Sequence, residues 1–450
     1  PNADRLSVCE VYDGSSNYTV VCGAKNVEAG QTVAFARVGA RLGKEVLKKA
    51  KLRGVESNGM ICSEEEIGLS EKSDGIMVLS PDYKPGTDIK EIFKQDFVFE
   101  LEITPNLAYC LSHYALAREL SLFFGYESKG IKPFDFNCGE GIFSIDIKTE
   151  NCLRYCGIVI KNIKNFKTPG LIYDRLKKVG LNPKDNILVD ASNYIMFELG
   201  QPTHCFDLNN IEGGITVRMA EKGEKIKTLD SNEYELNENI MLIADHKKPL
   251  AVAGVIGGYY SSINPGTRDI LIEVAGFKPA AVRRSSRYLN IKTDSAYRFE
   301  RGVDINLVDM ASKRMVEIIK STNPEAEIYY CKDVKNFESA KRVVEIDAGK
   351  INSILGTSIS QETMAGILKK FDGDFDGKRF TVPSYRADIE SVWDVAEEVA
   401  RYVGYEVIES RTVMPVMKSR SDSYYLLKKK VIEKALVFGF NEAINYDLVS

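Results

Sequence analysis

The patterning of these 450 residues changes character several times along the chain, and this limits the fold more than any single motif does. From Leu6 to about Asp88, short β-rich runs such as SVCEVYDG, YTVVCG and QTVAFARVG are separated by Gly, Asn and Asp. That punctuation is expected of a small β-barrel. From about Asn151 to Thr322 helical and strand periodicities mix, with many glycines and no internal repeat. A compact α/β module is expected from about Val343 to Tyr405. It starts with a helical pattern at Ile351–Leu355, and VPSYRADIE then opens a helix to Val403. A last helical stretch, Tyr425–Phe438, leads through Gly439 into the strand-like EAINYDLVS. Linkers are expected near Gly130–Gly141, Tyr330–Lys341 and Ser410–Ser421. The length agrees with roughly three domains at about 150 residues each. A first residue of Pro, no Met-plus-apolar signal, and a final strand with nothing after it read as a piece of a longer protein, lacking sequence at both ends.

Composition removes several classes. Sixty basic and sixty-four acidic side chains leave a net charge of −4, so a nucleic-acid partner would have to be held by local patches. No run approaches the ~18–20 apolar residues of a spanning helix. Nine scattered cysteines, without CxxC spacing, and three histidines argue against a disulfide framework or structural zinc, and reduced thiols fit better.

Three constellations carry chemistry. The first is Arg37–Arg53, where Arg37, Arg41, Lys44, Lys48, Lys49, Lys51 and Arg53 face a single acid, Glu45. It reads either as a phosphate-backbone track on the barrel or as a solvated loop. The second is VDASNYIMFELGQPTHCFD, which gathers Asp190, Asn193, Gln201, His204 and Asp207. Downstream lie GVIGG (Gly254–Gly258), Glu273 in an apolar strand, and KTDSAYRFERG from Lys292 to Gly302. A carboxylate among Ile270, Leu271, Ile272 and Val274 needs a partner or a ligand unless it faces solvent at a strand end. The residues alone leave both readings open. Cys205 reads as buried filler. The third is an acidic helix, in which Asp388 precedes Asp394, Glu397, Glu398 and Arg401 at i, i+3, i+4 and i+7. It reads as a solvated face or as a hard-cation site.

PNADRL followed by GVESNGMICS (Gly54–Ser63), and then ITPNLAYCLSHYALARELS (Ile103–Ser121), resembles the β subunits of bacterial phenylalanine–tRNA ligase. The match departs from the family's ITPNRPDCLSH run at Leu107, Ala108 and Tyr109, and continues in order to Ser450. The resemblance implies a multidomain α+β architecture: an oligonucleotide/oligosaccharide-binding (OB) barrel over 1–110 and a central α/β editing module over 111–335. A small winged-helix-like module over 341–408 and the start of a class II synthetase-like domain over 421–450 complete it. It also implies a cytoplasmic ligase subunit that joins an α partner as an (αβ)₂ heterotetramer on phenylalanine tRNA. The α subunit would carry ATP-dependent adenylation, with ATP bound in the full complex only, while this subunit removes tyrosine wrongly attached to that tRNA.

A pocket for a phenyl ring rejects the same ring bearing a hydroxyl only about a hundredfold. A second site that rewards the hydroxyl supplies the rest. By resemblance Glu273 greets the phenol, His204 is the histidine of GQPxH, and Gly257, Thr293 and Ser295 form the pocket wall. Position 295 is often alanine in the family, so the serine here narrows the wall and adds a donor. Asp388, Asp394, Glu397 and Glu398 match magnesium ligands at the α contact, and Trp393 is expected to pack in this module or on that partner. The rival readings are a tRNA-binding or assembly module without editing, and a free-standing hydrolase.

Overall fold

The computed structural model describes residues 6–93, 97–132, 134–337, 341–410 and 422–444. By internal contacts the chain divides into two compact units, Pro1–Glu100 and Leu101–Ser450. Most of PNADRL, the expected Ser410–Ser421 linker and the final residues of EAINYDLVS lie outside the described residues.

The first unit is β-rich, as its punctuation predicts. Ser7–Tyr12 pairs antiparallel with Asn17–Cys22, Phe35–Arg37 with Gly59–Ile61, and Ala50–Leu52 with Val55–Ser57. The first turn is shaped by Asp13, whose carboxylate accepts from the Ser15 and Ser16 backbone N–H groups and the Ser15 hydroxyl. Arg53 and Gly54 close the 50–57 hairpin with φ of 48° and 88°, the paired positive angles of a two-residue hairpin turn. Val20, Cys22, Ile61 and Ile76 form one small core, and Ala34, Ala36, Cys62 and Met77 another.

The second unit contains two facing sheets and a helical layer. A four-stranded antiparallel sheet runs in the order Thr203–Asp207, Ile270–Phe277, Cys152–Lys161, Glu327–Lys335. A five-stranded sheet orders Ile145–Ile147, Ile215–Met219, Met241–Ala244, Pro249–Val252 and Ile256–Gly257. Strand alternation sorts the central strand, whose residues are all buried. Leu271, Ala275 and Phe277 enter the core between the sheets, while Ile270, Ile272 and Val274 meet the helices Ile187–Leu199 and Leu307–Thr322.

A third core belongs to the module around the strands Val343–Glu345, Asp374–Phe375 and Arg379–Thr381 and the helices Ala348–Leu355, Gln361–Leu368 and Val392–Val403. Asp347, Ser360 and Ser391 cap the three helices, Ser391 in a capping box with Asp394. The expected helix to Val403 is present, as is one at Ser423–Val437. Among the described residues no helix is long and apolar enough to cross a membrane.

Three expectations change. Residues 101–110, grouped by sequence with the barrel, fall in the second unit. There the Tyr109 ring lies 5.0 Å from that of Tyr385 and under the Arg386 guanidinium. The stretch read as a linker at Gly130–Gly141 ends along a sheet edge: Gly139 and Gly141 donate to the carbonyls of Ile328 and Tyr329. A side chain at either glycine would strike those carbonyl oxygens at 2.6–2.7 Å. The reduced-thiol reading fails at one pair, since Cys138 is bonded to Cys331 on that same edge, with the other seven cysteines free.

Candidate functional site

Glu273 occupies the central strand, in register with His204 on one side and Gly157 on the other. Directly opposed residues of a ladder share a face. Alternation therefore sends Glu273, His204 and Tyr155 to the sheet–sheet core, where Tyr155 and Phe206 are fully buried. Glu273 is only 7% exposed, so the solvent-facing reading is overturned. Glu273 Oε2, His204 Nε2 and the Tyr155 hydroxyl are all buried without a hydrogen-bond partner among the described residues. Buried polar atoms are nearly always paired, so three orphans on one sheet face mark a place for a ligand or ordered water.

Both titratable groups are neutral at pH 7. Burial raises Glu273 to about 8, with the neighbouring Tyr155 hydroxyl pulling the other way. Burial alone lowers His204 to about 4. A protonated carboxyl can donate as well as accept, and an uncharged imidazole can orient or deprotonate water.

The wall beside His204 requires a glycine. A Cβ on Gly257 would lie 2.7 Å from the imidazole Cε1 and 3.0 Å from Leu229 Cδ1. Two predicted wall residues act one step back. Thr293 caps the helix Asp294–Phe299 and donates to the Val255 carbonyl at 2.8 Å, while Ser295 donates to the Gly254 carbonyl at 3.2 Å. The serine read as an added donor for the pocket thus has its proton engaged by the backbone. Thr293 and Ser295 hold the Gly254–Gly257 turn in place. Cys205 faces the helical core, and burial pushes its thiol up to about 12, as filler requires. Asp190 and Asp207 are structural. The first is bonded to Thr168 and the Lys184 N–H, the second to Thr267 and Asn264. Tyr155 was missed by sequence reading, because nothing local to CLRYCGIVIK singles it out from a core tyrosine.

In the first unit, Arg41, Lys44, Lys48 and Lys51 stand exposed on the Arg41–Ser57 hairpins. Arg37 is paired with Asp13, and Lys49 with Glu56 at 2.7 Å, so part of the patch is internally neutralised.

The four acidic residues read as magnesium ligands do not fit a cation site. Arg386, with no exposed side-chain surface, grips both oxygens of Asp388 at 2.7 and 2.9 Å and both of Glu398 at 2.8 and 3.0 Å. Arg401 holds Glu398 as well, at 2.6 Å. Burial pushes Glu398 up, but these two arginines outweigh it and leave its pKa lowered. Asp394 accepts from the Glu390 and Ser391 N–H groups and the Ser391 hydroxyl, and Glu397 points to solvent. Helical spacing places Asp394, Glu397 and Glu398 within two turns, but Asp394 turns back to cap the helix, Glu397 faces solvent, and Glu398 is taken by Arg386 from the preceding loop. Among the described residues no group of three or more His, Cys, Asp or Glu side chains is arranged to hold a metal. Trp393 is 61% exposed rather than packed in the module.

Comparison with known proteins agrees with this division. Residues 1–88 match the tRNA binding domain family, residues 151–324 the B3/4 domain family, and residues 344–405 the tRNA synthetase B5 domain family. Two curated relatives are phenylalanine–tRNA ligase beta subunits, from Fusobacterium nucleatum and Hahella chejuensis. Each is 38% identical across all of this chain, which spans 58% of the relative's length. A solved N-terminal fragment of the phenylalanyl-tRNA synthetase beta subunit from Pyrococcus horikoshii aligns with 67% of this chain and 85% of its own. That alignment, at 16% identity and a TM-score of 0.34, is too loose to support any inference. By its relatives and the order of its three matched domains, the chain is similar to the phenylalanine–tRNA ligase beta subunits over its whole length.

Proposed function

We propose that this chain is the proofreading and tRNA-holding part of a cytoplasmic phenylalanine–tRNA ligase, and that Glu273 and His204 remove tyrosine wrongly attached to the tRNA. The observation that supports this most is the group of unpaired polar atoms of Glu273, His204 and Tyr155 on one buried sheet face. A tyrosyl phenol satisfies the Glu273 carboxyl, while phenylalanine leaves it orphaned. Strong rejection of the ligand lacking a hydroxyl follows from that asymmetry. His204 Nε2, uncharged at pH 7, orients or accepts a proton from the water that attacks the ester carbonyl, and the tyrosine leaves as its carboxylic acid while the tRNA hydroxyl takes a proton. Positioning supplies most of the rate, because the ester is intrinsically reactive. The first unit acts as the OB-fold tRNA contact, the 344–405 module as a winged-helix-like scaffold, and an α subunit in an (αβ)₂ assembly would supply adenylation. No magnesium role is assigned to Asp388, Asp394, Glu397 or Glu398.

Purified chain should deacylate tyrosyl-tRNA faster than phenylalanyl-tRNA. Glu273→Ala should lower that preference by about 5- to 150-fold, the cost of leaving the buried phenol without a partner. Equal rates in the parent would favour a binding module that does not edit. Neutralising Lys48, Lys49 and Lys51 together should reduce the slope of log affinity for tRNA against log salt by about two, since Lys49 already answers Glu56. An unchanged slope would assign those lysines to solvated surface.

A further inference from the structure

One strongly charged surface of the second unit is used by nothing described so far. From Lys278 to Lys292 the sequence KPAAVRRSSRYLNIK carries five basic residues and no acid. It folds as the helix Pro279–Leu289, which buries Ala281, Val282, Ser285, Ser286 and Leu289 and turns Arg283, Arg284, Arg287 and Tyr288 outward. Lys278 is paired with Glu150, and Arg283 donates to the Glu300 carbonyl. The side chains of Arg284, Arg287 and Lys292 have no ion pair or hydrogen bond among the described residues. One aromatic ring lies on this stretch, Tyr288, 53% exposed; a second, Tyr297 on the following helix Asp294–Phe299, is 42% exposed and has the Arg301 guanidinium 3.5 Å from its ring centre.

The inner side of the same helix braces the candidate site. Val282 Cγ2 lies 3.1 Å from where a Cβ on Gly254 would stand, and Gly254 opens the turn that carries Gly257 against His204. Just beyond the helix, Thr293 and Ser295 hold the carbonyls of that turn. The helix thus packs directly on the turn that walls the Glu273 site. Arginine forks match phosphate oxygens in pairs, and exposed tyrosines stack unpaired bases without regard to sequence.

We propose that the outer face of Pro279–Leu289, with Lys292, is a track for single-stranded nucleic acid, in which Arg284, Arg287 and Lys292 hold phosphates and Tyr288 stacks a base. That the strand is the acylated end of a tRNA rests on the editing reading above; that the face binds single strands does not.

The full chain is titrated with a mixed-sequence RNA of about 12 nucleotides over a range of salt. Replacing Arg284, Arg287 and Lys292 by Gln together should lower the slope of log affinity against log salt by about two, at about 0.7 per phosphate contact. Tyr288→Ala should weaken binding about 5- to 100-fold at a nearly unchanged slope. An unchanged slope in the triple variant, or competition by poly-glutamate equal to that by RNA, overturns the track. Hydrolysis of tyrosine ethyl ester, which has no phosphate, should be unaffected by the triple variant while KM for tyrosyl-tRNA rises. A parent chain that binds RNA through this face but hydrolyses neither ester would sink the editing reading and leave the track standing.

Discussion

Glu273→Gln is expected to raise, not lower, the stability of the two-sheet body at pH 8, by roughly 5 kcal/mol. The carboxyl holds its proton up to about pH 8 in the folded chain, against 4.5 for an ordinary glutamate. Between those values the native state binds one proton more than the unfolded state, so stability falls as pH rises through the window. Three and a half pKa units at about 1.4 kcal/mol each give the magnitude. Glutamine copies the protonated shape and has no proton to lose. His204 works in the opposite sense. Its pKa falls from 6.5 to about 4, so the unfolded chain binds the extra proton and stability rises with pH over that interval, by roughly 3 kcal/mol. In the parent the two slopes cancel from about pH 4.5 to 6.5, and stability then declines to pH 8. In the variant the rise between about pH 4 and 6.5 remains and the decline is gone. Exchange of the amides in Ile270–Phe277, corrected for intrinsic rates, reads opening of this sheet. Other titrating groups drop out of the difference between the two proteins. Should the variant keep the decline above pH 6.5, the carboxyl is not buried. A functional acid held at this expense is the trade of stability against activity seen at many sites.

Arg386→Ala should lower the stability of the small module by about 3–5 kcal/mol. The arginine is sealed from solvent, with the Tyr109 and Phe371 rings 5.4 and 5.2 Å from its guanidinium. Its removal strands Asp388 outright and leaves Glu398 to Arg401 alone. Arg401 also reaches Glu119 at 2.9 Å, and Glu119 accepts from the Tyr109 hydroxyl at 2.7 Å. The network therefore ties the helix His113–Phe124 to the helix Val392–Val403. Arg386→Lys should recover only part of the loss, because a point charge cannot grip two carboxylates in the plane of a fork. Thermal unfolding of the full chain measures both variants, and a loss under 1 kcal/mol for Arg386→Ala would mean that water reaches the pair. In the same scans EDTA or millimolar Mg²⁺ should leave the parent's midpoint unmoved. A magnesium site among these acids would instead shift it by RT ln(1 + [Mg²⁺]/Kd).

Much of the architecture was legible in local pattern. Ser391, followed by Asp394 and the apolar positions Val395, Ala396 and Val399, announces a capped helix with one buried face. The interruption of apolar ILI–VA by Glu273 drew attention to a carboxylate that needs a reason. Ladder register was not legible, because no residue in CLRYCGIVIK states which strand will lie beside it. Tyr155 reaches the Glu273 face only because Cys152–Lys161 pairs centrally with Ile270–Phe277. The acidic helix misled for a related reason: spacing reports which carboxylates share a helix face, and says nothing about an arginine arriving from another segment.

The sequence by itself determined the succession of modules, the caps and faces of their helices, and the presence of one acid in an oily strand, since these follow from spacing between near neighbours along the chain. Only the tertiary structure decided which polar groups are left unpaired at Glu273, which hydroxyls are taken up by the Gly254–Gly257 turn, and which carboxylates Arg386 neutralises. Those outcomes depend on meetings between distant segments, where burial shifts each group's protonation and the first partner to arrive removes it from any other use.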